Sequence, residues 1–253
     1  MSDLKEAACI LLLGGIGSRY SEISEPPKQL IKIYKRTLIE NILIHLRKNG
    51  IKNFILPLGY KKDYFYNFFK KKKNIGTYNF NLITSKKTKK INKDLNIYLF
   101  NAGNKTSKLT RIKKSLSYLK TDFFFVTYGD GLADIDIGKI YKLHKKTNKS
   151  IISSTKINSQ YGHLKIDKSN NVTKFIEKPT LDMPINIGYY LFKKDSFNEN
   201  YSKKKELENH FLNDIVKKQK IATYIHKGFF FNIDKKIDLV KLKREKKQII
   251  KNF

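Results

Sequence analysis

Ala7-Ala8-Cys9-Ile10-Leu11-Leu12-Leu13 runs straight into Gly14-Gly15-Ile16-Gly17-Ser18-Arg19. An apolar run without alternation reads as a strand buried on both faces, the mark of a central parallel strand. The glycines that stop it leave bare backbone able to approach a phosphate chain closely. Arg19 and, after Pro26-Pro27, Lys28 set two cations beside that turn. Two other phosphate motifs do not fit. The P-loop ends Gly-Lys-Ser/Thr, and here the turn ends Gly17-Ser18-Arg19. The dinucleotide fingerprint needs a last glycine where Tyr20 stands. A plain strand–turn–helix connection is the competing reading.

The pattern then alternates. Leu38, Ile39, Ile42, Leu43 and Leu46 recur at helical spacing, with Gly50 as a C-terminal cap. Asn53–Leu58 reads as a second strand and Asp63–Phe69 as a second helix, which implies βαβ units and a parallel sheet. Tyr78–Ile83 and Asn96–Asn101 alternate in polarity and suggest an antiparallel excursion. Lys108–Tyr118 reads as a helix, Phe123–Tyr128 as a buried strand and Gly138–His144 as a helix. Strands at Ser150–Thr155, His163–Asp167, Val172–Ile176 and Ile187–Phe192 predict a mixed second half of the sheet. Helices near Phe211–Lys217 and at about 236–250 close the chain. The expected fold is one Rossmann-like three-layer α/β/α domain over 1–253. Its mixed, mostly parallel sheet carries inserted antiparallel strands.

Composition narrows the function. With 40% hydrophobic and 13% aromatic residues among 253, a packed core is affordable and disorder is excluded. One cysteine excludes a disulfide framework or a multi-thiolate zinc site, and Cys9 reads as a small buried apolar residue. No apolar run reaches the ~18–20 residues of a membrane span, and no signal peptide is legible, so a cytoplasmic protein is expected. The net charge of +31 points first to nucleic acid. All but five of the 53 basic residues are lysines spread along the chain, in the Lys, Asn, Ile, Phe and Tyr profile of an AT-rich coding sequence. Specific readout favours arginine forks, so solvated lysine faces outweigh a nucleic-acid stripe.

Three further motifs carry chemistry. In Phe123-Phe124-Phe125-Val126-Thr127-Tyr128-Gly129-Asp130-Gly131, a carboxylate sits at the C-terminal end of a buried strand, where open α/β sheets bind ligands. Asp130 suits a hard cation such as Mg²⁺, or is an ordinary Asp-Gly turn. Glu177-Lys178-Pro179 follows another strand. Asp234 ends Phe229-Phe230-Phe231-Asn232-Ile233-Asp234, either as a helix cap or as a partner for Asp130. The five histidines show no metal-ligand spacing.

In this order the motifs resemble the sugar-nucleotidyltransferase family over nearly the whole chain. Thr127 to Asp136, Gly59-Tyr60-Lys61, Tyr161-Gly162-His163-Leu164, Asn186-Ile187-Gly188 and the Gly228-to-Asp234 stretch resemble its glucose-1-phosphate cytidylyltransferase branch in particular. The resemblance implies that Leu13, the Gly14, Gly15, Gly17 and Ser18 backbone, Arg19, Gly103, Arg111 and Gly129 hold a nucleotide such as CTP. Lys28 would contact phosphate at the reacting centre, with Arg19 and Lys178 as the other catalytic cations. Asp130 and Asp234 would bind Mg²⁺. Lys178 would bind a sugar 1-phosphate, in a pocket lined by Gly162, Glu177, Asn186 and Gly188. The family's homo-oligomeric assembly is expected too. One stretch departs from the pattern: Leu109-Thr110 stands where the family has a glycine pair, which puts a side chain near the nucleotide. Another nucleotide, a non-sugar phosphorylated acceptor, or an inactive nucleotide-binding module are the alternatives.

Such a transfer needs no general base, because a phosphate monoester is already nucleophilic near neutral pH. Aligning two polyanions and neutralising developing charge is the catalyst's task, and cations and a metal perform it.

Overall fold

The computed structural model describes residues 2–13, 26–85, 93–197 and 205–245. A short helix α1 (Ser2–Glu6) leads into β1 (Ala8–Leu12), buried at every position. After a 3₁₀ turn at Lys28–Leu30 comes a small hairpin of β2 (Lys32–Ile33) and β3 (Arg36–Thr37). Helix α2 (Leu38–Lys48) begins with a capping box. The Glu40 carboxylate accepts from the Thr37 N–H at 2.8 Å while Thr37 Oγ1 accepts from the Glu40 N–H at 3.4 Å, which satisfies orphan donors of the first turn. Gly50 follows at φ +98°, the left-handed position its capping role requires.

β4 (Asn53–Leu58), α3 (Lys62–Lys71), β5 (Asn74–Ile75), β6 (Tyr78–Ile83) and β7 (Leu95–Asn101) come next. Helix α4 (Lys108–Ser115) continues into a 3₁₀ turn and is followed by β8 (Phe123–Tyr128), β9 (Gly131–Ala133) and α5 (Ile137–Thr147). The rest comprises β10 (Ser150–Thr155), β11 (His163–Ile166), β12 (Val172–Ile176) and β13 (Ile185–Lys193). A π-helical turn (Leu207–Leu212) then leads to α6 (Asn213–Lys217), β14 (Ile221–Ile225), β15 (Phe230–Asn232) and α7 (Lys236–Glu245).

Nine strands form one sheet in the order β14-β10-β13-β8-β1-β4-β7-β6-β5. β1 lies parallel between β4 and β8, as its unbroken apolar run requires. Its alternate residues feed two cores. Cys9 and Leu11 face α2, α3 and α5, packing with Ile42, Phe65 and Ile140. Ala8, Ile10 and Leu12 face α4 and the π-helical turn, packing with Leu109, Ile112 and Phe211. The three-layer, mostly parallel expectation is met, with β13 and β5 the antiparallel strands.

Two expectations fail. The segments at 78–83 and 95–101 are not antiparallel to each other; β6 and β7 pair in parallel, Asn81 opposite Asn96, and Asn53 of β4 lies opposite Asn96 on the other side. The alternation came from these asparagines. Asn81 Nδ2 donates to Asn96 Oδ1 at 2.9 Å and Asn96 Nδ2 to Asn53 Oδ1 at 2.9 Å. In-register carboxamides satisfy one another across parallel strands, so polar positions there do not mark a solvent face. The second failure is β11 and β12, which do not enter the main sheet. They form their own two-stranded hairpin, exposed throughout β11 and from Val172 to Phe175. The edge strand β14, parallel to β10, was not legible at all. The closing helix is described only to Glu245. No described helix is long and apolar enough to cross a membrane.

Candidate active site

β1 and β8 pair with Leu12 opposite Tyr128, so their C-terminal ends deliver Leu13 and Gly129 side by side. A Cβ on Gly129 would stand 2.4 Å from Leu13 Cδ2 and 2.8 Å from Gln29 Cγ, so only glycine fits between them. Gly131 then opens β9, held by the Tyr189 hydroxyl donating to its carbonyl at 3.2 Å. β9 pairs with β15, Gly131 opposite Asn232, and the Ile233 N–H donates to the Asp130 carbonyl at 2.9 Å. That pairing carries Asp234 to Asp130 across a hundred residues of sequence.

Lys28, at the start of the 3₁₀ turn, closes the cluster. Its Nζ lies 2.9 Å from Asp130 Oδ2 and 3.9 Å from Asp234 Oδ1, and donates to the Ile233 carbonyl at 2.8 Å. The structure thus brings together three residues expected at the reacting centre. It also bears on the reading of Asp234 as a helix cap. The carboxylate that accepts backbone N–H bonds ahead of α7 is that of Asp238, from Asp234 at 3.0 Å and Lys235 at 2.7 Å. The Asp234 carboxylate faces Lys28 instead.

Two carboxylates aimed at one cationic point fit a Mg²⁺ ion, which takes one or two carboxylates and completes its shell with water and phosphate oxygens. Among the described residues no group of three or more His, Cys, Asp or Glu converges.

The nucleotide side is partly visible. Gly14, Gly15, Gly17, Ser18 and Arg19 lie outside the described residues. Leu13 is fully buried. Gly103 sits at φ +105°, where a β-carbon is strained. Arg111 is 5% exposed and its guanidinium is turned onto the Leu13 carbonyl and Thr106 Oγ1, so in this geometry it braces the end of β1. Burial lowers its pKa, and these bonds keep the buried charge satisfied. Leu109 does not face the nucleotide as expected. It is 1% exposed and packs in the core against β1, while Thr110 takes part in the Ser107 cap.

The residues expected to line the acceptor pocket divide into two groups. Asn186 and Gly188 line a 280 Å³ cavity together with Asp130, Gly131, Lys108, Thr127, Tyr128 and Asn232. Gly188 is at φ +76°, and a Cβ there would come 2.5 Å from the Tyr128 ring. Gly162, Glu177 and Lys178 belong instead to the exposed hairpin. Lys178 Nζ lies 3.7 Å from Glu177 Oε1, and a Cβ on Gly162 would be 3.1 Å from Glu177 Oε2. Lys178 has φ +44°, an uncommon conformation for a lysine. Among the described residues no hydrogen bond or ion pair joins the hairpin group to the Lys28 cluster. Lys108, Glu208 and Tyr190, which bond around the cavity, were not anticipated; a lysine opening a helix is the one local signal that could have marked them.

The sequence profile of the "Nucleotidyl transferase" family matches residues 8–243. The chain belongs to this family. Similar proteins include the glucose-1-phosphate cytidylyltransferase of Salmonella typhimurium, 29% identical over 241 residues, covering 92% of this chain and 93% of that protein. The D-glycero-alpha-D-manno-heptose 1-phosphate guanylyltransferase of Campylobacter jejuni is 30% identical over 228 residues, 88% of this chain and 93% of its own. Among solved structures, HddC from Yersinia pseudotuberculosis superposes with a TM-score of 0.66 at 22% identity, over 94% of this chain and 99% of its own.

Proposed function

We propose that the protein transfers CMP from CTP to a sugar 1-phosphate, giving a CDP-sugar and pyrophosphate. The observation that carries this reading is the convergence of Lys28, Asp130 and Asp234 at the C-terminal ends of β1 and β8, beside a cavity of sugar-phosphate size. An acceptor phosphate oxygen attacks the α-phosphorus. One P–O bond forms, the α–β bridge breaks, and its electron pair leaves on pyrophosphate.

Lys28 neutralises charge on the transferring phosphoryl group, which is where fixed cations contribute most. Asp130 and Asp234 would hold Mg²⁺, which when bound offsets the charge of the phosphate chain. Lys178 and Glu177 receive the sugar phosphate from the hairpin side, and Asn186 and Gly188 shape the cavity floor. Arg111 keeps the end of β1 in place. With Leu109 buried in the core, the departure from the family's glycine pair gives no support to an inactive binding module. The Salmonella relative favours CTP; the Campylobacter relative makes GTP the competing nucleotide. We propose a homo-oligomeric assembly and a cytoplasmic location on the family resemblance alone.

Pyrophosphate release tests the reading, with four nucleoside triphosphates each paired with a panel of sugar 1-phosphates and Mg²⁺. Turnover with CTP and glucose 1-phosphate or a related sugar is expected. A folded protein that releases pyrophosphate from no pair would overturn it, and turnover only with GTP would reassign the base.

A further inference from the structure

Lys108 stands where a lysine is electrostatically out of place. It is the first residue of α4, after the Ser107 cap, and no acidic residue in the first turn offsets the positive end of the helix dipole. Its ammonium is held by groups from two distant segments. It pairs with the Glu208 carboxylate and lies 4.9 Å from the centroid of the Tyr128 ring.

The holding groups are themselves held. The Tyr128 hydroxyl donates to Glu208 Oε1 at 2.7 Å and lies 3.2 Å from the Tyr190 hydroxyl, to which Asn186 Nδ2 donates at 2.6 Å. Glu208 rides on the π-helical turn Leu207–Leu212, a rare geometry that recurs at functional positions. Burial raises the Glu208 pKa, but the Lys108 and Tyr128 donors outweigh it and keep it lowered, so this carboxylate is ionised near neutral pH. Lys108 also lines the cavity that contains Asp130, Asn186 and Asn232. A lysine that breaks a local rule, is fixed by two partners and faces a cavity is one placed for a ligand.

We propose that Lys108, set by Glu208 and Tyr128, is a specificity wall of the acceptor cavity that donates to a ring hydroxyl of a polyhydroxylated sugar phosphate. The inference rests on the sugar-phosphate reading above and adds the group that reads the ring. Glu208 already compensates the ammonium, so a second anion there would meet the carboxylate's repulsion. A neutral hydroxyl meets no such penalty, because it accepts from the ammonium without adding charge. The cavity's Thr127, Asn186 and Asn232 are neutral donors and acceptors, and its Asp130 carboxylate is paired with Lys28.

The test is calorimetric binding of glucose 1-phosphate, its four monodeoxy congeners and inorganic phosphate to wild-type protein, K108M and E208Q, with thermal melts to verify folding. The wild type should bind at least one monodeoxy congener about tenfold or more weakly than glucose 1-phosphate, the worth of a hydrogen bond to a charged group. K108M should bind glucose 1-phosphate about tenfold more weakly and lose that discrimination, and E208Q should lose part of it. Equal loss for every congener and for inorganic phosphate would make Lys108 a phosphate-binding cation and overturn the proposal. Unchanged affinities in K108M would overturn it as well. Wild type that shows this binding pattern yet releases no pyrophosphate would break the transfer reaction and leave the wall standing. Wild type that binds no sugar phosphate would overturn both.

Discussion

The Lys28 cluster and the Glu177–Lys178 hairpin are both expected to handle phosphate, yet they are built in opposite ways. Lys28, Asp130 and Asp234 come from three distant segments and are fixed by strand pairing, with the Lys28 side chain 13% exposed. Glu177 and Lys178 are chain neighbours at the end of a two-stranded hairpin, and both side chains are more than 60% exposed. Isolated two-stranded hairpins are marginal in water. One site is therefore preorganised by strand pairing inside the fold, while the other is held by its own hairpin's backbone bonds and faces solvent. Preorganised charge is worth most where charge develops; exposed charge is screened and contributes mainly to capture. We propose on this contrast that the first region does the transition-state work and the second binds substrate.

Asp130→Ala gives the largest expected effect. It removes one of two carboxylates facing Lys28, and kcat should fall on the order of 10³-fold with an unchanged melting profile. Normal Mg²⁺-dependent turnover in that variant would remove the metal role from this cluster. Lys28→Met comes second, with kcat lowered about 10²-fold. It also leaves Asp130 and Asp234 facing each other without the competing ammonium, so its turnover should need less Mg²⁺ than wild type. Equal Mg²⁺ requirement in the two proteins would show that Lys28 does not share the cation position.

Lys178→Met should act differently in kind. KM for the sugar phosphate should rise about 10- to 100-fold, the worth of one charge-assisted hydrogen bond. KM for the nucleotide should stay within a factor of about two. A fall in kcat with both KM values unchanged would collapse the comparison, because the hairpin would then be doing the cluster's work.

The same contrast explains what the sequence made legible. Buried parallel strands announce themselves by unbroken apolar runs, so 8–12, 53–58 and 123–128 and the carboxylate after the last of these were readable. The meeting of Asp130 with Asp234 was readable only through the family resemblance, since it depends on the β9–β15 pairing of two three-residue strands. The asparagine ladder disguised a parallel pair as an antiparallel one. The hairpin could not be told from a sheet strand, because Leu164 and Ile166 alternate as in a half-buried strand and Val172 and Phe175 make β12 apolar, although all four are exposed. Leu109 misled in the opposite direction. The motif comparison placed it by the nucleotide, whereas helical periodicity with Ile112 turns it into the core.

Phe175→Ser gives the smallest expected effect and the finest division between the two regions. The ring is 62% exposed, so its removal should cost less than about 1 kcal/mol of stability. It nonetheless closes over Gly162, where a Cβ would stand 2.5 Å from Phe175 Cζ, and it lies two residues before Glu177. If the hairpin serves capture, the substitution should raise the sugar-phosphate KM a few-fold while kcat and the nucleotide KM stay at wild-type values. Thermal melts and initial rates on one preparation separate the outcomes. A large loss of melting temperature with unaltered KM would mean that the exposed apolar face is covered in the assembled protein, and that the hairpin's first duty is structural.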